Sequence, residues 1–285
     1  MAITITIANE KGGVGKTTTA VNLSAGLALC LKNRAGAAGR VLLVDMDPQG
    51  HALLATAFGL KPNSPSESLG ALLTETPPPS IQRMIRVSTN HPNLYVILSN
   101  HTAMLEASRA LPTLMANETR LSRALALIQK EFAYIIIDTP PSTGDLLINA
   151  LVAANQIIVP VETSYLGVSG LRELQRTIEQ IKIHFRADLK ILGYLPTLYE
   201  EQRSEAQEIL AELRSRFPNQ VLPPIHKAAD LAYAHSSHMD VFSYRPPRSR
   251  EAEQLSSSVR ATQEYAQLVE TVIQRTRTIA GINQS

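Results

Sequence analysis

The sequence predicts the α/β class, with a mostly parallel, twisted sheet flanked by helices, and three observations lead there. Short apolar runs recur at Ile3–Ala8, Val41–Asp45, Leu94–Leu98, Tyr134–Asp138, Gln156–Pro160, Ile191–Pro196 and Val221–Ile225. Several are apolar nearly throughout rather than alternating, as expected of parallel strands buried on both faces. Between them lie helical periodicities: Leu121, Leu125, Ile128 and Phe132; Leu171, Leu174, Ile178, Ile181 and Phe185; and Leu255, Val259, Thr262, Ala266, Val269 and Ile273. Finally, a glycine-rich turn joins the first apolar run to the helix-prone stretch Thr19–Leu31. Such alternation implies right-handed crossovers and an open sheet whose ligands bind outside the carboxyl ends of its strands.

A chain of 285 residues, 44% of them hydrophobic, is long enough to bury a large core, so a single domain over 1–285 is expected. With 27 basic and 25 acidic residues the net charge is +2, so any nucleic-acid contact must come from a local patch. The lone Cys30, among Leu27, Leu29 and Leu31, excludes an internal disulfide or a multi-cysteine metal site and reads as a buried structural thiol. No apolar run approaches the roughly 18 residues of a membrane span. The start, Met1-Ala2-Ile3-Thr4, has no signal-peptide character, so a cytoplasmic location is expected. Lys61–Ser68 and Thr76–Ser80 are rich in Pro and Ser and predict surface loops, and Lys32–Arg40 predicts a small, flexible connection.

The turn reads Glu10-Lys11-Gly12-Gly13-Val14-Gly15-Lys16-Thr17-Thr18. Glycines allow a tight turn in which consecutive N–H groups point at phosphate oxygens. The helix that follows adds its positive N-terminal end. Lys16 can reach the β- and γ-phosphates and the Thr17 hydroxyl can ligate Mg²⁺, which predicts a P-loop NTPase that binds and hydrolyses ATP. Chance gives the core of this pattern in on the order of one chain in a thousand. Glu10 stands where the usual motif has Gly, and Lys11 is an extra cation. It could be solvated, or it could contact a phosphate on its own subunit or on a partner's.

Two further strands end in Asp. Asp138, in Ile137-Asp138-Thr139-Pro140-Pro141, has the place of an acid that holds Mg²⁺, often through water. Asp47 follows the second strand on a turn fixed by Pro48 and Gly50, where it could orient the attacking water. Asp45, nearer the strand, would act behind it as a further candidate near the metal.

Together these motifs resemble the ParA/MinD family of deviant Walker A ATPases, and the ParA (Soj-like) partitioning branch more closely. The resemblance rests on Lys11–Thr19, Asp45–Gly50 and Asp138–Pro141 and continues through Pro160-Val161-Glu162, Pro196–Tyr199 and Leu231–Ala234. It implies nucleotide binding by Lys11, Gly12, Gly13, Val14, Gly15, Lys16, Thr17, Thr18, Pro196 and Thr197. It assigns catalysis to Lys11, Lys16 and Asp47, and Mg²⁺ to Thr17, Asp138 and Asp45. Lys11 would be the signature lysine that reaches the partner's ATP in a homodimer. That dimer would bind DNA non-specifically on the nucleoid, and a ParB-like or other adaptor would stimulate hydrolysis and reset it. DNA contact would fall on Lys227, Arg245, Arg248 and Arg250. Departures from the pattern are His51 where Asn is common, a longer Lys32–Arg40 connection, and Ile225-His226-Lys227 in place of Ile-Pro-Arg. With the first strand starting at Ile3, no N-terminal helix-turn-helix extension is expected.

Two alternatives remain at this stage. Val272–Ile282, apolar and basic, could be a MinD-like membrane-associating end. A metabolic P-loop ligase or kinase would instead need a small-molecule pocket. His235 and His238 are spaced i, i+3, but no cysteine or nearby cluster of acids accompanies them to form a metal site.

Overall fold

The computed structural model describes residues 1–49, 60, 64–237, 239–245 and 252–279. Gly50, His51, the start of the Lys61–Ser68 segment, His238, Arg248, Arg250 and the last residues of Val272–Ile282 lie outside them, as does the His235 side chain.

In chain order the regular elements are β1 (Ile3–Ile7), α1 (Lys16–Leu31), β2 (Val41–Asp45), α2 (Leu69–Thr74), β3 (Arg86–Val87), β4 (Leu94–Ile97), α3 (His101–Ala110), α4 (Arg120–Ala126), β5 (Tyr134–Asp138), α5 (Asp145–Ala153), β6 (Gln156–Glu162), α6 (Tyr165–Ser169), α7 (Leu171–His184), β7 (Lys190–Thr197), α8 (Ser204–Arg216), α9 (Ala229–Ser236) and α10 (Ala252–Ile279). One sheet runs β3-β4-β2-β5-β1-β6-β7, with every neighbouring pair parallel except β3–β4.

The expected class holds, and the burial explains why the strands read as continuous apolar runs. Val41, Leu43, Tyr134 and Ile136 face a core built with Leu23 and Leu27 of α1 and Tyr265, Leu268 and Val272 of α10. Leu42, Val44, Ile135 and Ile137 face the opposite core, with Leu69, Met104, Leu121 and Leu125. Alternate residues therefore need apolar side chains for different partners.

Four expectations need correction. Val221–Ile225 forms no strand among the described residues; it makes one isolated bridge, at Val221, and the following His226 makes another. Pro223 and Pro224 lack the N–H that a ladder requires. The Lys32–Arg40 connection is pinned rather than loose. It contains a 3-10 turn at Gly36–Gly39, and Asn93 Nδ2 donates to the carbonyls of Ala28 at 2.9 Å and Gly39 at 2.7 Å. Cys30 is exposed, because the buried face of α1 passes through Leu27, Ala28 and Leu31 and leaves Leu29 and Cys30 outside. The helical pattern through Phe132 stops at Ala126, although Ile128 and Phe132 stay buried through a following 3-10 turn at Gln129–Glu131.

The C-terminal helix is built into the core. Thr276 Oγ1 and Tyr134 Oη lie 2.8 Å apart, Arg275 donates to the Leu192 carbonyl at 2.7 Å, and Val272 is fully buried. As far as Thr276, then, the segment considered for membrane association spends its apolar face inside the protein. Among the described residues no helix is long and apolar enough to cross a membrane.

A buried polar anchor joins the β3–β4 hairpin to the chain ahead of α10. Asp240 accepts from His91 Nε2 at 2.9 Å, from Ser243 Oγ at 2.8 Å, and from the N–H groups of Phe242 and Ser243 at 3.0 Å each. Burial works to raise its pKa, but the hydrogen bonds and the charge attraction from His91, with Ser243, outweigh burial and hold the carboxyl below its ordinary range. A depressed carboxylate pKa contributes stability that is complete above the unfolded value and is lost as pH falls through the folded one. Asp240→Ala should therefore cost about 3 kcal/mol near neutral pH in urea unfolding. Its deficit relative to wild type should shrink in acid below the ordinary aspartate range, and an unchanged urea midpoint at neutral pH would contradict this.

Candidate nucleotide site

The register sets the site. Ile7 of β1 and Asp45 of β2 both pair with Asp138 of β5, so three strands end level and both carboxylates arrive at one edge. The glycine-rich loop leaves β1 directly above them. Side chains from distant elements fix it. Asn9 Nδ2 donates to the Pro160 carbonyl at 2.7 Å while its Oδ1 accepts from the Lys11 N–H at 2.9 Å. Thr139 Oγ1 donates to the Ile7 carbonyl at 2.8 Å and Thr197 Oγ1 to the Val14 carbonyl at 2.9 Å. Gly13 and Gly15 take φ values of 76° and 84°, a left-handed backbone that side-chain-bearing residues adopt at a cost.

Gly15 caps α1 with no side-chain hydrogen bond, and the first turn holds no acid. The opening N–H groups and the positive end of a 16-residue helix are thus left for an external anion. Lys16 lies beneath, 6% exposed, with Nζ donating to the Lys11 carbonyl at 2.8 Å. Burial lowers its pKa, against the pull of Asp138 and Asp47. Lys11 is partly exposed, and its Nζ meets Glu162 Oε2 at 2.7 Å.

The three carboxylates differ sharply. Asp45 is fully buried and spent internally, with Oδ2 accepting from Ser99 Oγ at 2.8 Å and Oδ1 from the Asp47 N–H at 3.0 Å. Its pKa stands well above the ordinary range, first through burial and then through the Asp138 charge. Asp47 accepts from the Gln49 N–H at 2.8 Å. Asp138 is fully buried and neither oxygen has a well-formed hydrogen bond. Burial raises its pKa to about 7, the nearby Thr17 hydroxyl and Lys16 working against this and Asp47 with it. Two buried oxygens without a well-formed hydrogen bond, beside Lys16 and Thr17, suit a small divalent cation. Among the described residues no group of three His, Cys, Asp or Glu could hold an ion alone. Mg²⁺ takes one or two protein ligands plus water and phosphate. Asp45, with both oxygens engaged, is placed to orient the Asp47 turn rather than to face an ion.

Beside the loop a cavity of about 610 Å³ opens between Gly15, Thr18, Thr197, Leu198, Ile225 and Tyr265. Thr197 reaches it, whereas Pro196 is buried in β7 and is not among its lining residues. Its far wall is held by His226, whose N–H and Nδ1 donate to Glu264 at 2.9 Å and 2.6 Å. Asn9, Ser99, Glu162 and Tyr265 went unrecognised as site residues in the sequence. Each acts through a partner at least 54 residues away or, like Tyr265, belongs to α10, so no local pattern marks them. Of the residues expected at DNA, Lys227 lines the cavity and lies 3.4 Å from Glu200 Oε1, and Arg245 donates to the carbonyls of Phe242 and Tyr244.

Residues 2–191 match a family model described as an AAA domain. Over 250 residues the chain is 36% identical to the sporulation initiation inhibitor protein Soj of Bacillus subtilis (strain 168), covering 87% of this chain and 93% of Soj. The chain is a ParA-family ATPase of the Soj-like branch. To the chromosome partitioning protein ParA of Myxococcus xanthus (strain DK1622) it is 38% identical over 225 residues, 78% of this ATPase and 74% of that protein. Among solved structures it is similar to cobyrinic acid a,c-diamide synthase from Mycobacterium smegmatis with bound ATP analog and magnesium. The TM-score is 0.75 and the identity 28%, over 99% of this chain and 97% of that one. In that structure, nucleotide and magnesium occupy a protein with the same fold.

The charge pattern has a measurable consequence in this ATPase. A carboxylate buried with no well-formed hydrogen bond burdens the unliganded fold and is relieved by a proton or by a cation. Asp138→Asn should raise the melting temperature of the unliganded protein by roughly 2–4 °C. The same variant should lose the further upward shift that ATP with Mg²⁺ gives the wild type. Calorimetry checks both halves, and an unliganded melt at or below the wild-type value would show that Asp138 is not strained.

Proposed function

We propose that this ATPase is a nucleotide-driven dimer switch that positions DNA or protein cargo. The carrying observation is Lys11, a second lysine on a phosphate loop that already contains Lys16. One cation, Lys16, is buried and directed within its own loop. The other stands at the rim, where a second subunit's phosphate could meet it. Tyr165 and Leu166, 62% and 73% exposed, lie three and four residues past Glu162 and add exposed apolar surface that a second copy could cover.

In this reading Lys11 and the residues from Gly12 to Thr18 bind the triphosphate, with Lys16 neutralising charge as it develops on the transferred phosphate. Thr197 braces the loop from β7, and the adjoining cavity takes base and ribose. Thr17 and Asp138 would hold Mg²⁺, which when bound supplies charge neutralisation. Asp47 orients the attacking water, and the Asp45–Ser99 pair keeps the Asp47 turn in place. The ATP-bound homodimer grips DNA through backbone phosphates, and an adaptor of the ParB type prompts hydrolysis and release. The names of Soj and ParA, relatives at 36% and 38% identity, support partitioning over a metabolic role.

Asp47→Ala should bind ATP normally and accumulate as a dimer with ATP and Mg²⁺ in size-exclusion chromatography, with hydrolysis reduced by about 10² or more. A variant that remains monomeric sinks the switch. Turnover that needs a small-molecule acceptor would favour a ligase like the structural relative instead. For DNA, a gel-shift titration with a non-specific duplex should show binding that requires ATP and collapses between about 50 and 200 mM salt. Equal binding with ADP would contradict the cycle.

A further inference from the structure

We propose that Glu162 is a positioning residue for Lys11: it holds the lysine on its own subunit until nucleotide and a second subunit compete it away. The idea rests on the switch reading above, in which Lys11 acts across the dimer.

The pair is a direct one, Lys11 Nζ to Glu162 Oε2 at 2.7 Å, between residues 151 apart. The Glu162 backbone is firmly placed. As the last residue of β6 it pairs in register with Thr197, the residue that braces the loop at Val14. Its carbonyl accepts from the Ser164 N–H at 2.8 Å, and α6 folds back so tightly that a Cβ on Gly167 would lie 2.0 Å from that same oxygen. On the loop side, Asn9 ties the Lys11 N–H to the carbonyl of Pro160, two residues before Glu162. The backbones at both ends of the ion pair are therefore anchored to one strand end, and the pair opens by rotation of its side chains, of which the lysine's stem is the longer. Glu10 lies next to Lys11, with Glu173 near it, so the surroundings on the same subunit are acidic and favour retention of the cation.

The strength suits a latch. Both side chains are 31% exposed, and pairs of that exposure shift an equilibrium by roughly two- to fivefold. A desolvated phosphate offers a charged lysine more than that, so nucleotide on a partner can win. Closing a two-fold symmetric dimer opens two latches, so the effects multiply.

The test is dimerisation of the full chain with the non-hydrolysable analogue AMPPNP and Mg²⁺, followed by analytical ultracentrifugation. At low salt, Glu162→Gln should tighten the dimer by roughly four- to twenty-five-fold. Glu162→Asp, which keeps the charge but shortens the reach, should also tighten it, separating loss of the latch from loss of a negative charge. The gap between wild type and Glu162→Gln should close at about 1 M salt, where screening cuts the reach of charge to ~3 Å. A general change in packing would not respond to salt in this way. Lys11-dependent dimerisation that Glu162→Gln leaves unchanged or weakens would overturn the latch while the switch reading stands. A Lys11→Ala chain that dimerises as tightly as wild type would overturn both.

Discussion

Asp138 keeps two carboxylate oxygens out of water with no hydrogen bond fully formed to either. Much of the site follows from the need to make that tolerable. The parallel register of β1, β5 and β2 delivers the carboxylate to a level edge, so the loop that leaves β1 must pass over it. Lys16 is buried nearby, where its charge offsets part of the burial cost of the carboxylate. The helix behind the loop starts with no acid and no side-chain cap, and so adds positive rather than negative potential. What remains uncompensated is shared as raised pKa values on Asp45 and Asp138 and a lowered one on Lys16. In the proposed reading, a phosphate and a divalent cation would relieve the strain of the unliganded site.

The placement of residues singled out by their type and local spacing was legible in the sequence. The loop from Lys11 to Thr18, Asp47 and Asp138 come together as the motifs anticipated, because a strand end followed by a turn fixes their position within a few residues. The six parallel strands were legible too, since burial on both faces favours apolar residues at most steps, whereas the two-residue β3 was not. The rest failed for physical reasons. Val221–Ile225 has strand composition, but its two prolines remove ladder donors, a veto that apolar counting overlooks. Cys30 has leucine neighbours, yet on a helix its neighbours in sequence point elsewhere. Glu162 was noticed only as part of a motif, because its partner is 151 residues away. The Asn93 clamp on the Lys32–Arg40 connection escaped for the same reason.

In the proposed switch, the two lysines of one loop would separate binding from switching by depth alone. Lys16, 6% exposed, sits where electrostatic interactions are strong and rearrangement is costly, which suits a permanent part of a phosphate cradle. Lys11, several-fold more exposed, meets its carboxylate where water screens the pair to at most about 1 kcal/mol. A residue that must change partners in each cycle cannot be held much more tightly. A latch as strong as the buried cluster would resist the second subunit, and with no latch the lysine would be equally free with and without nucleotide. A carboxylate fixed by a rigid strand end, facing a lysine on a flexible stem at the surface, places the interaction in the narrow range where nucleotide binding can decide its outcome.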